Sequence, residues 1–145
     1  MQNRYLYIDI DGVLLGKADP NDHEIILSKH AKDFLSYCLQ HFDCYWLTTH
    51  CRNGDPSNAI NLLYGHSNAS VMELLKAIKP TTWVTLKTEA IALKSDFYWI
   101  DDQLLATEYE IFKDHGVVDR WIQVNTRKYP DDLLRAMGML RRVSG

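Results

Sequence analysis

The chain carries a series of short apolar runs, several of which end on an acidic or hydroxyl residue. Residues 4–10, RYLYIDI, are aromatic and β-branched without a breaker, and read as a buried strand closed by Asp11 and Gly12. CYWLT at 44–48, DFYWID at 96–101 and WIQV at 121–124 read as strands in the same way, and 82–86 is also expected to be extended. Residues 16–22 form a turn-rich loop, and 23–27 read as an edge strand or the start of a helix. Elsewhere the apolar spacing becomes helical. Ala31, Phe34, Leu35, Cys38 and Leu39 predict a helix from about 28 to 42 capped by Ser28. Shorter helices are expected at 58–64, at 70–78 before Pro80, and at 88–94. A helix over 103–114 is closed by Gly116, and 131–142 is a final amphipathic helix. Strands alternating with helices predict an α/β fold with a mainly parallel sheet covered on both faces, in one domain over 1–145.

Composition narrows the partners. At 145 residues, 46% hydrophobic and 24% charged, the chain fits an ordinary globular domain. A net charge of −3 gives no basic face for general nucleic-acid binding, so nucleic acid is expected only as a substrate held by a few local cations. Cys38, Cys44 and Cys51 are odd in number and form no C-x-x-C pair, which points to a reducing compartment. The N-terminal segment does not read as a secretory signal, and no apolar run is long enough to span a bilayer, so a cytoplasmic location without a membrane partner is expected.

The chemistry lies in the acidic residues. In an extended segment positions i and i+2 share a side, so Asp9 and Asp11 are expected to project together from the end of the first strand. Open α/β sheets place ligands at the carboxyl ends of their strands. A second pair, Asp101 and Asp102, closes the FYWI strand. Aspartate also ends strands merely because it favours turns; that preference explains one such pair more easily than two. If the two strands are neighbours, up to four carboxylates converge, an arrangement that repulsion makes costly without a cation. Hard oxygen ligands of this kind suit Mg²⁺. Thr48, at the end of the second strand, can donate to a phosphoryl oxygen, and Lys87 can bring an ammonium to the same place.

The ordered set YIDIDGVL, WLTT, LKT and YWIDD resembles the four signature motifs of the haloacid dehalogenase (HAD) superfamily over about residues 4–124. More loosely it resembles a capless branch that includes HAD-type domains linked to RNA repair. The resemblance implies a Rossmann-like three-layer domain with the nucleophile on the central strand. It implies that Asp9 attacks phosphorus to give an aspartyl-phosphate, that Asp11 is the acid and base, and that Thr48 and Lys87 hold the phosphoryl oxygens. It further implies Mg²⁺ held by Asp9, by a backbone carbonyl at Asp11 and by the final motif, for which Asp102 is favoured with Asp101 in support. An aspartate at position 11 favours phosphate transfer, since dehalogenases of the superfamily lack it. Lys94 competes with Lys87 for the third motif and Thr49 with Thr48 for the second.

About 35 residues separate Gly12 from Thr48, and fewer than 40 separate Thr48 from Lys87, which leaves no room for a large cap domain. An open site suits a phosphorylated macromolecular end as well as a small phosphate ester. Arg52 is a candidate substrate ligand because a guanidinium pairs phosphate bidentately, whereas His50 reads as a loop residue. His41, Cys44, His50 and Cys51 match no standard zinc spacing. Tyr5, Tyr7, Trp46, Tyr98 and Trp99 sit in strands and are expected in the core or at an interface. Competing classes are a Mg²⁺-dependent nuclease-type site, which needs neither Thr48 nor Lys87, and a catalytically idle HAD-fold binding protein. A receiver-type phospho-acceptor is disfavoured because it places its acidic pair before the phosphorylated aspartate.

Overall fold

Alternating burial on two faces organises the molecule. The computed structural model describes residues 3–144. In chain order it contains β1 (Arg4–Ile8), a small antiparallel hairpin of β2 (Leu15–Gly16) and β3 (Ile26–Leu27), α1 (Ala31–His41) and β4 (Asp43–Trp46). Two helices follow, α2 (Ser57–Tyr64) and α3 (Ala69–Lys76), then β5 (Asp96–Asp101), α4 (Ala106–Asp114), β6 (Trp121–Gln123) and α5 (Asp132–Ser144). The main sheet is parallel, in the order β4-β1-β5-β6. Leu6 and Ile8 of β1 enter one apolar cluster with Trp46, Tyr98 and Ile100, while Tyr7 enters the opposite one with Phe97 and Trp99. This two-residue alternation is what a sheet buried on both faces requires. Helices α1, α2, α3 and α5 cover the first face, and α4 covers the second through Phe112. The fold is thus α/β with a mainly parallel four-stranded sheet, consistent with a Rossmann-like arrangement. No helix among the described residues is long and apolar enough to cross a membrane.

This topology places a switch point beside β1. From β1 the chain leaves toward β4 on one side, and from β5 it continues to β6 on the other, so a crevice opens at the carboxyl ends of β1 and β5. At the opposite ends Asp96 of β5 accepts from Arg4 Nε of β1 and from Arg120 Nη1 just before β6, both at 2.7 Å, which ties three strands together.

Several expected elements differ. The strands read as 4–10 and 44–48 stop at Ile8 and Trp46, so Asp9, Asp11 and Thr48 all lie beyond ladder ends. No strand forms over 82–86. Lys79 occupies the edge of β4, and the loop near Arg52 takes the next backbone groups, with Trp83 N donating to Arg52 O. Trp83 serves burial in the second cluster without joining the sheet. The helix expected at 88–94 is a single 3₁₀ turn, Lys87–Ala90. Ser28 does not cap α1. Its hydroxyl donates to Val13 O at 2.6 Å, and His30, with φ 68°, stands at the helix N-terminus. The 23–27 segment resolves into the short strand β3, and no additional domain is inserted in the described chain on either side of β4.

Candidate active site

The site is assembled from the ends of β1 and β5 and the turns that follow. Asp9 comes directly after β1, and its backbone N–H still donates to Ile100 O of β5 at 3.1 Å, which fixes the two strand ends side by side. Asp101 ends β5, is 1% exposed, and accepts from Gln103 N through Oδ1 and from Lys87 Nζ through Oδ2 at 2.6 Å. Lys87 Nζ also lies 3.5 Å from Asp9 Oδ2. One carboxylate oxygen from each of Asp9, Asp101 and Asp102 falls within 4.8 Å of the others. The cluster opens on a cavity of about 300 Å³ whose walls include Asp11, Thr49, Trp83 and Glu108.

Asp11 does not join the cluster. Because the strand stops at Ile8 and the chain turns at Ile10, the i, i+2 relation fails, and the Asp11 carboxylate lines the same cavity outside the cluster. There His50 Nε2 donates to Asp11 Oδ2 at 2.8 Å, and Arg127 Nη2 lies 3.7 Å from Oδ1. The side chain of Asp11 is therefore outside the cluster of Asp9, Asp101 and Asp102 that could hold a metal ion. Gly12 makes the turn possible. Its φ of 75° is left-handed, and a Cβ there would stand 2.5 Å from Asp102 Oδ2 and 3.0 Å from Asp102 Cβ. Gly12→Ala is expected to cost about 1–2 kcal/mol for the backbone alone and to displace Asp102. Thermal unfolding and Mg²⁺ titration calorimetry measure the two effects, and unaltered Mg²⁺ binding would show that the glycine does not hold Asp102 in place.

The remaining expected residues divide. Lys87 reaches the aspartates, whereas Lys94 is exposed and forms no ion pair with them. The 3₁₀ turn brings Lys87 in, and the buried Glu108 accepts from its backbone N–H at 3.1 Å. Thr48 is fully buried and does not line the cavity; its Oγ1 accepts from His50 N at 3.3 Å, and Thr49 stands on the wall instead. Arg52 is committed elsewhere. Its guanidinium lies 4.4 Å from the Trp83 ring centroid and donates to Val84 O, so it does not line the cavity either. Cys38, Cys44 and Cys51 are buried and unpaired, and among the described residues the aspartate cluster is the one grouping of metal-ligating side chains.

Sequence reading missed Arg127 and Glu108 and set His50 aside. A glutamate three residues into a helix is a weak capping signal for Glu108. Nothing local marks His50 or Arg127, because both matter only through Asp11.

Crowding sets the electrostatics. Burial, then the charge of Asp9, lifts the Asp101 carboxyl to about 7 against the pull of Lys87. Burial, then a hydrogen bond and charge from Asp101, lifts Asp102 to about 6. Asp9 is also raised by burial, with Lys87 opposing. Burial depresses Lys87, but Asp9 and Asp101 outweigh it and leave the ammonium above its ordinary value. Between about pH 4 and 7 the folded protein thus retains protons that the unfolded chain releases, so stability falls as pH rises through that window. In chelator the protein is expected to melt at higher temperature at pH 5 than at pH 8, with Asp101 contributing at most about 3 kcal/mol of that difference. Mg²⁺ should recover more stability at pH 8 than at pH 5, because ligands bind metal deprotonated. Melting curves with and without Mg²⁺ check this, and the reverse order would overturn it. The donor set could hold a hard divalent cation: three converging oxygen ligands whose charged forms stay disfavoured even with Lys87 beside two of them.

The chain gives no significant match to a protein-family model, a curated protein or a solved structure. The fold and site define it as an α/β protein with a buried aspartate cluster and a lysine at the switch point of its parallel sheet.

Proposed function

We propose that the protein is a HAD-like, Mg²⁺-dependent phosphohydrolase that acts through an aspartyl-phosphate on Asp9. The observation that carries this reading is the meeting of Asp9, Asp101, Asp102 and Lys87 at the ends of two adjacent strands, with Asp11 lining the same cavity. The order of these residues along the chain is that of the superfamily's four motifs, and Lys87, which a nuclease-type metal site would not need, is buried against two of the aspartates.

The roles follow from placement. Asp9 attacks phosphorus and the ester oxygen leaves, protonated by Asp11. Asp11 then takes a proton from water, which attacks the aspartyl-phosphate, freeing phosphate and restoring Asp9. Lys87 donates to the phosphoryl oxygens and offsets their charge in the transition state. Asp9, Asp101 and Asp102 would hold the divalent cation, with a backbone carbonyl at Asp11 in support. When bound, that cation screens the repulsion between the nucleophile and the incoming phosphate. Thr48 is buried off the cavity and accepts from the backbone N–H of His50, so Thr49, which lines the cavity, is the threonine placed to donate to a phosphoryl oxygen. His50 holds Asp11 on the leaving-group side. Buried, unpaired cysteines fit a reducing cytoplasm.

The absence of an inserted domain among the described residues supports an open site, accessible to a small phosphate ester or to the phosphorylated end of a macromolecule. The test is a panel of phosphorylated metabolites, nucleotides and end-phosphorylated oligonucleotides assayed with Mg²⁺, using the Asp9→Asn protein as blank. Turnover by the wild type and none by the variant supports the reading. No turnover of any ester, or equal turnover by both proteins, refutes it.

A further inference from the structure

Arg127 has a rigid base and uncommitted donors. The loop that carries it, between β6 and α5, is bonded on all sides. Thr126 N donates to Gly12 O at 2.8 Å, and Thr126 Oγ1 lies 3.0 Å from both Val13 O and Ser28 Oγ. Asn125 N donates to Asp132 Oδ2, and Asn125 Oδ1 accepts from the backbone N–H of Arg127 and Lys128. The backbone of Arg127 is thereby fixed against the turn that bears Asp11. Its side chain, 43% exposed, approaches Asp11 Oδ1 only to 3.7 Å, too far for a hydrogen bond. An exposed ion pair of that length contributes about 0–1 kcal/mol, so folding gives little reason for the arrangement.

Charge gives a better one. Four aspartates surround the cavity, and among the described residues Lys87 and Arg127 are the lysine or arginine side chains paired with them. Lys87 serves the phosphoryl side. Arg127 lies outside the lining of the cavity but beside Asp11, the residue that protonates the leaving oxygen in the proposed reaction. A leaving oxygen within hydrogen-bond reach of Asp11 is at most about 7 Å from this guanidinium. An anion a few bonds along the leaving group then meets the free N–H fork, which matches carboxylate or phosphate bidentately.

Resting on the phosphohydrolase reading, we propose that Arg127 is a specificity-determining residue that selects phosphate monoesters whose alcohol carries a second anionic group. Without Arg127, a second anion near Asp11 would face that carboxylate with no lysine or arginine paired to it.

The test is a three-carbon series: glycerol 3-phosphate, 3-phosphoglycerate and propane-1,3-diol bisphosphate, with a hydroxyl, a carboxylate and a second phosphate at the far end. In the wild type, kcat/KM for at least one of the two doubly anionic esters is expected to exceed that for glycerol 3-phosphate by about tenfold to a hundredfold, the scale of a hydrogen bond to a charged group. Which one is favoured tells whether carboxylate or phosphate is the anion. Arg127→Gln should collapse that ratio toward one, and Arg127→Lys should retain part of it. The same ratios should appear in dissociation constants measured by calorimetry on the Asp9→Asn protein, with and without Arg127→Gln. A wild-type ratio near one, or an Arg127→Gln loss equal for all three esters, overturns the proposal. Activity that survives Asp9→Asn would instead refute the phosphohydrolase reading, whatever the ratios show.

Discussion

Replacing Asp9 by asparagine is expected to reduce the proposed Mg²⁺-dependent phosphatase activity to background, a loss of about a thousandfold or more, as removal of a nucleophile does in hydrolases. The amide keeps the shape of the side chain at a position only 5% exposed, so circular dichroism and the unfolding transition should show an intact fold. The change also removes a charge that helps raise its neighbour. Asp101, lifted to about 7 by burial and then by Asp9, should titrate lower in the variant, and a pH titration followed by carboxyl NMR measures this directly. Beryllium fluoride with Mg²⁺ should bind beside Asp9 in the wild type and fail to bind in the variant. Retention of a substantial part of the activity in a clean preparation would refute covalent catalysis by Asp9. An unfolded variant would show that the residue serves the core.

Asp11→Asn should separate the two halves of the reaction. The variant leaves Asp9, Lys87 and the aspartate cluster in place, because the Asp11 carboxylate pairs with His50 and Arg127 and lies outside that cluster. Losing a positioned acid and base costs about 10²–10⁴-fold. That cost should depend on the leaving group. An aryl phosphate leaves as a stable anion and scarcely needs a proton, so its first step should suffer least, while an alkyl phosphate should lose the full factor. With the aryl ester, slow attack by water should let the intermediate accumulate, seen as a protein mass increase of about 80 Da after quenching. Equal losses for aryl and alkyl esters with no adduct would remove Asp11 from proton transfer. A metal site of nuclease type would then be favoured.

Much of the fold was legible because its signals are local. The runs LYI, CYW and FYWI are strands wherever they pair, since each alternates large apolar side chains toward two clusters. Their order among helical segments predicts a parallel sheet, and β1 does lie between β4 and β5. What failed was decided by partners. Residues 82–86 have strand-like composition but find the edge of β4 already bonded by Lys79. Ser28 is a good cap by type, yet a buried carbonyl of Val13 and the hydroxyl of Thr126 claim its side chain.

The site divides along the same line. Asp9, Asp101, Asp102 and Lys87 could be named from sequence because chemistry that needs clustered carboxylates and a cation leaves them at strand ends and turns. Sequence by itself determined which residue types were present and that two acidic pairs follow apolar strand-forming runs; that those strands are neighbours was decided by the tertiary structure. Tertiary structure alone decided where each side chain faces. It turned Asp11 away from the cluster, since a strand that ends at Ile8 no longer imposes a two-residue period. It used Arg52 on Trp83 and placed Thr49 at the wall in preference to Thr48. It also brought His50 and Arg127 to Asp11 from loops 39 and 116 positions away in the chain, a juxtaposition that no local pattern encodes because its energy resides in the contact between distant loops and not in either segment.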